Sequence, residues 1–177
     1  MDNGSFGVAM GIVAVIILFA LLISLIFVVI TVIAEWKLFE KAGEPGWSAI
    51  IPFYNTLQMS KIATGNSQIG IVIIISSVVY LFFSGITNGI NALAEYGENP
   101  LSFLALLAIP ISLIGVVVSL ITAVAGGYLH YTFAKSYGQS TAMCVLAIFF
   151  PPIILMIMAF GSSANYIGPQ GTIKLWK

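Results

Sequence analysis

Residues 6–34 read FGVAMGIVAVIILFALLISLIFVVITVIA, with no charged side chain from Phe6 to Ala34. A hydrocarbon core about 30 Å thick takes ~20 helical residues at ~1.5 Å rise each, and this run exceeds that length. Three more uncharged apolar stretches follow, at residues 69–87, 101–127 and 141–160. Backbone N–H and C=O groups cannot stay unpaired in lipid, and a helix pairs them within one segment. The sequence therefore predicts an all-α membrane protein of four transmembrane helices. It forms a single integral membrane domain over residues 1–177, with a polar tail at 161–177.

Composition points the same way. Hydrophobic residues make up 60% of the chain and charged residues 7%, and the mean hydropathy is +1.10. Soluble domains do not reach such values. A net charge of zero without a single arginine argues against a nucleic-acid partner. The lone cysteine, Cys144, allows no internal disulfide and no multi-cysteine metal site, and reads as a small buried hydrophobe. The N-terminus does not read as a cleavable leader: Met1–Ser5 carries an acid and no base, and the apolar run is about twice the ~7–15 residues of a leader core. A retained first helix is expected. Asn3-Gly4-Ser5 fits a glycosylation pattern only by chance.

Lysines set the expected orientation. Lys37, Lys41 and Lys61 lie between the first two spans, Lys135 between the last two, and Lys174 and Lys177 in the tail; the Asn88–Pro100 connection has Glu95 and Glu98 and no lysine. Lysine-rich short loops stay cytoplasmic. The expectation is a plasma (inner) membrane protein with its first loop cytoplasmic and both termini outside. Pro151-Pro152 interrupts the fourth stretch and deprives the carbonyls of Ala147 and Ile148 of helical donors. A single kinked span is the reading adopted. The alternative is a re-entrant hairpin with arms of ~10 residues, about 15 Å each, which would bring all six lysines to one side.

In the first loop, Glu35–Trp47 reads as a helix leaving the membrane and stopping sharply. Lys37 and Lys41 suit the negative end of the helix dipole, Gly43 can close the helix in the left-handed conformation, and Pro45 cannot continue it. Trp36 and Trp47 are interface anchors. Pro52 suits a first helical position, which predicts a short interfacial helix over Phe53–Thr64, on the membrane surface or packed under the bundle. His130, among aromatics at the end of the third span, reads as an interfacial hydrogen-bonding side chain. The third span carries small residues at alternating spacings of three and four: Ala105, Ala108, Ser112, Gly115, Ser119, Thr122 and Gly126. That pattern is a heptad seam, and small residues let helices approach closely in lipid. Gly7 and Gly11, with Ala14, add a weaker pair on the first span.

Catalytic signatures are missing. The sequence has no His-Glu-x-x-His, no Gly-x-Ser-x-Gly and no phosphate-binding glycine loop. Ser60-Lys61 and Lys135-Ser136 are sequence neighbours in polar loops, where a solvated lysine is the default rather than a peptidase dyad. The spans hold no ionisable residue to couple ions or relay protons. No catalytic residue, metal ligand or cofactor site is expected.

The chain resembles a bacterial family of small four-span integral membrane proteins of unknown function. The resemblance rests on Lys41-Ala42-Gly43-Glu44-Pro45-Gly46-Trp47 (KAGEPGW) and Ile51-Pro52-Phe53-Tyr54-Asn55 (IPxYN). Looser matches are Lys135-Ser136-Tyr137-Gly138, where Tyr137 replaces the family's usual Phe, Phe150-Pro151-Pro152, Phe160-Gly161 and Tyr166-Ile167-Gly168-Pro169. It implies a four-helix membrane fold and no activity, and that some relatives are fused to a signal-peptidase-like domain. Three functions stay open: a non-enzymatic membrane subunit or scaffold contacting partner proteins or itself, a small transporter or channel, and an accessory to membrane proteolysis or secretion. For the first, the contact loop is expected to comprise Gly43, Pro45, Gly46, Trp47, Pro52, Tyr54 and Asn55.

Overall fold

In a computed structural model, residues 3–96, 102–162 and 164–171 are described, all of them helical or irregular. Helix α1 (Asn3–Lys41) is followed by a single 3-10 turn (Gly46–Ala49), α2 (Tyr54–Thr64), α3 (Gln68–Tyr96), α4 (Ser102–Ser136), α5 (Thr141–Phe149) and α6 (Pro151–Phe160). Within them, Met10–Lys41, Gln68–Leu93 and Ala108–Ser136 are long and apolar enough to cross a membrane. Residues 97–100, in the second connection, and Lys174 and Lys177, in the tail, lie outside the described residues.

Helix α1 ends as its sequence dictates. Gly43 takes φ +78°, its N–H bonds to the Glu40 carbonyl at 3.0 Å, and the Glu44 N–H bonds to the Phe39 carbonyl at 3.0 Å. This pair of bonds is the Schellman closure, which satisfies two otherwise orphaned carbonyls. Helix α2 starts one residue later than expected. Phe53 has φ +66° and ψ −45°, and the Tyr54 N–H reaches the Pro52 carbonyl at 2.8 Å. That is a three-residue γ-turn, a strained geometry for a side chain with a Cβ. Pro52 is therefore the first residue of the turn and does not open the helix.

Helix α2 packs against its neighbours, in keeping with the second of the two placements expected for it. Its Met59, Ile62 and Ala63 are buried against α3 and α4. Gly70 makes the crossing possible, since a Cβ there would lie 2.8 Å from the Thr56 carbonyl oxygen. Helices α3 and α4 then run antiparallel along their lengths: Thr122 Oγ1 donates to Ser76 Oγ at 2.8 Å, and Thr87 and Asn88 share a groove with Ser112.

The fourth apolar stretch departs from expectation. It is two helices of 9 and 10 residues that meet at Phe150, each about 14–15 Å long. Ser140 caps the first by accepting from the Met143 N–H, and Pro151 opens the second, where a missing N–H costs nothing. Helix α5 packs on α4 and α6 on α1. A Cβ on Gly127 would lie 3.1 Å from Ile148 Cγ2, so α5 runs back along α4 for roughly two to three turns. Helix α6 returns to the end where α1 stops, because Lys41 Nζ donates to the carbonyls of Met158 at 3.1 Å and Gly161 at 3.5 Å. The stretch is a helical hairpin with both ends at one end of the molecule, and among the described residues three helices, against the four expected, are long and apolar enough to cross a membrane.

The tail does not lie opposite the first loop, as the kinked span required. The Ile167 N–H bonds to the Ser136 carbonyl at 2.8 Å, and the Gln170 and Gly171 N–H groups bond to the Ala63 carbonyl at 2.9 and 3.1 Å. Tyr166 Oη donates to the Ile62 carbonyl at 3.1 Å. Each acceptor is a carbonyl left without a partner at a helix C-terminus. The tail thus caps α2 and α4 together. Around this junction sits the core, with Leu38, Phe39, Leu129, Phe133, Tyr137, Cys144 and Met158 essentially inaccessible. Tyr137 is its centre: its hydroxyl donates to the Leu38 carbonyl, and its ring lies 5.0 Å from Phe133 and 5.5 Å from Tyr166. Burial, reinforced by Tyr166, pushes the Tyr137 hydroxyl far above the usual range, so it stays a neutral donor.

Candidate functional site

Three braces shape the loop after α1. Asn55 Nδ2 donates to Glu35 Oε2 at 2.5 Å and to the Ala49 carbonyl at 3.3 Å. Gln58 Nε2 donates to Glu44 Oε2 at 3.0 Å, and Lys61 Nζ lies 2.7 Å from Glu44 Oε1. The Lys61 ammonium holds the Glu44 carboxyl below its ordinary range, and Glu44 raises Lys61 in turn. The third brace is steric. The Trp36 indole lies against Gly46, where any Cβ would collide with it, and its Nε1–H donates to Glu40 Oε1 at 2.6 Å.

These braces sort the seven loop residues picked from sequence. Gly43 closes α1, Gly46 accommodates Trp36, and Asn55 ties the loop to Glu35; all three shape it. Pro45, Trp47, Pro52 and Tyr54 are presented to the outside, with Trp47 and Tyr54 stacked at 5.7 Å and 7°. Sequence reasoning missed their neighbours Ile50, Ile51 and Phe53, which are also exposed. The signal was available in the run Ile50-Ile51-Pro52-Phe53, four apolar residues in a polar connection.

The stripe on α4 lies along the α3 side. Ala108 and Gly115 are buried, Ser119, Thr122 and Gly126 half-buried, and Ser112 exposed; the Ala105 side chain lies outside the described residues. A Cβ on Gly115 or Gly126 would meet nothing within 4 Å. The hydroxyls of Ser112 and Ser119 bond back to the carbonyls of Ile109 and Val116, the usual use of such groups in a membrane helix. They line two adjoining grooves of about 500 and 250 Å³, which share Tyr80 and Ser119. His130 likewise bonds within its own helix, through Nδ1 and the Gly126 carbonyl at 2.8 Å.

Helix α1 is the outlier. From Val8 to Ile30 every described side chain is exposed, and its packing on α2, α6 and the 3-10 turn is confined to its last turns. A Cβ on Gly7 or Gly11 would meet nothing within 4 Å. The lysines at its end had been expected to serve α1's own dipole. They also grip α6: Lys41 caps it, and Lys37 Nζ stands 4.4 Å over the Phe160 ring.

A model described as a family of unknown function (DUF5684) matches residues 92–169. The match takes in α4, the α5–α6 hairpin and most of the docked tail, and leaves out α1 and the KAGEPGW loop. Comparison with curated proteins returns no match, and neither does comparison with solved structures. Over residues 92–169 this chain is similar to a family of unknown function, and its helices suit a membrane protein.

Proposed function

We propose that this protein is a non-enzymatic integral membrane subunit or scaffold that acts through contacts with other proteins in the bilayer. One observation carries the reading: among the described residues, every side chain of α1 from Val8 to Ile30 is exposed. Lipid tolerates a lone apolar helix, so fold stability does not require that face to be covered. A long uncovered helix with Gly7 and Gly11 on it suits an interface with a partner helix. Lys37, Lys41, Lys61 and Lys135 gather at one end of the molecule, which the positive-inside bias assigns to the cytoplasm. In this topology α1, α3 and α4 span the plasma membrane, α5–α6 enters from the cytoplasmic face and turns back, and the N-terminus is outside.

The test is photo-crosslinking in native membranes from Phe19 and Leu22, both exposed on α1. A discrete protein adduct at both positions, weakened by Gly11→Leu, is the expected result. Adducts to lipid alone would contradict the reading. The hydroxyl-lined grooves between α3 and α4 favour one second reading, a small oligomeric channel or transporter. Solute flux from the purified protein in liposomes, lost in Ser119→Val, would establish it over the scaffold.

A further inference from the structure

A groove of about 500 Å³ lies where α1 leaves its apolar run, lined by Val32, Ile33, Trp36, Lys37, Glu40 and Ile50. Its composition is graded along α1. Val32 and Ile33 belong to the last uncharged turn, and Lys37 and Glu40 follow one to two turns on, roughly 6–11 Å further along the axis. Ile50 supplies the facing apolar wall, carried there by the Gly46–Ala49 turn.

The charged rim is built and is not internally neutralised. Glu40 is fixed by the Trp36 indole, which can lie there only because residue 46 is glycine. Lys37 stands over the Phe160 ring. Among the described residues the one ion pair is Lys61–Glu44, so Lys37 and Glu40 keep opposite charges available. At spacing i, i+3 they lie on one face, with Cβ atoms about 5–6 Å apart.

We infer that this groove binds a phospholipid whose headgroup carries a phosphate followed by an ammonium. The acyl chain lies on Val32, Ile33 and Ile50, the phosphate meets Lys37, and the ammonium meets Glu40. A purely anionic headgroup would satisfy Lys37 and be repelled by Glu40; a headgroup with both charges satisfies both. Lipid is the source because the apolar floor continues the spanning part of α1. The inference depends on the bilayer placement of α1 and is independent of the partner reading.

Native mass spectrometry of the full-length protein in mild detergent tests it, with phosphatidylethanolamine and phosphatidylglycerol of identical chains, and with glycerophosphoethanolamine as the tail-less headgroup. Wild type is expected to retain phosphatidylethanolamine about tenfold better than phosphatidylglycerol and to ignore the tail-less headgroup. Glu40→Gln should erase the preference and Lys37→Gln weaken both lipids. Ile50→Trp should fill the groove and displace them, while Lys135→Gln, at an exposed lysine outside the groove, changes nothing. Equal retention of the two lipids by wild type, an unchanged preference in Glu40→Gln, or binding of the tail-less headgroup as well as the lipid would overturn the inference.

Discussion

The two ends of this molecule are built on different principles. At the lysine-bearing end, α1, α2, α4, α5, α6 and the tail meet around Tyr137, tied by hydrogen bonds that cross between elements. Toward the other end, among the described residues, α3 and α4 stay paired and the side chains of α1 are exposed. In lipid the hydrophobic effect gives spanning helices no reason to collapse on one another. Specific polar capping and close packing must organise the fold, and here they are concentrated at the lysine-bearing end. Substitutions there should therefore cost stability that equally apolar substitutions on α1 do not.

The sharpest contrast sets Tyr137→Ala against Leu22→Ala. Removing a fully buried aromatic side chain costs about 3–5 kcal/mol, and Tyr137 has no accessible surface. Leu22 is 52% exposed, on a stretch of α1 whose described side chains are all exposed, so its truncation should leave unfolding in mixed micelles unchanged. Comparable losses for the two would break the distinction between the ends. Tyr137→Phe, which removes only the bond to Leu38, should cost about 1 kcal/mol.

Glycine substitutions come next. Gly70→Val drives a side chain into the Thr56–Leu57 backbone, where overpacking costs about 1–3 kcal/mol. Gly115→Ala, on the stripe, adds a methyl that meets nothing within 4 Å and should be neutral. Greater damage from Gly115→Ala than from Gly70→Val, in thermal aggregation in detergent, would return the close contact to the stripe.

The smallest effect is electrostatic. Glu44 is depressed by Lys61, so its contribution is complete above the unfolded carboxylate pKa of about 4.3 and is lost as pH falls through the lower folded value. Lys61 is raised, so its contribution is complete below about 10.4 and is lost as pH rises through the higher folded value. Stability from the pair should be flat between these limits. An exposed pair of this kind contributes at most about 1 kcal/mol, and Lys61→Met should remove the acid-side slope. A slope centred near neutrality that Lys61→Met abolishes would show that this pair does not titrate as described.

What could be read from sequence follows from how each feature is encoded. The runs that became α1, α3 and α4 depend on side-chain hydropathy, and the α1 stop on a glycine that only a left-handed residue explains. Both are written in residue type. The direction of the chain after Phe150 is not: Pro151 breaks a helix equally well for a kink or a turn-back. The docked tail was illegible because, beside the Tyr166 hydroxyl, Ile167, Gln170 and Gly171 hold it through backbone N–H groups, which almost any residue supplies. The stripe from Ala108 to Gly126 was read as a close contact because small residues permit one. At Gly115 and Gly126 the permission is not used, while Gly46, Gly70, Gly127 and Gly171, outside that pattern, are tight positions. In the loop, side-chain type identified Trp47 and Tyr54 as presented, but it could not separate them from Gly46 and Asn55, which hold the shape.

The central claim is that the α5–α6 hairpin returns the chain to the face that carries the first loop. Single cysteines at Lys61, Asn165 and Glu98, each in a Cys144→Ala background, can be challenged with an impermeant maleimide in intact cells and after permeabilisation. The account predicts that Lys61→Cys and Asn165→Cys behave alike, protected until permeabilisation, while Glu98→Cys reacts from outside. Asn165→Cys reacting from outside while Lys61→Cys stays protected would mean that residues 141–160 cross the membrane once, and would contradict the account.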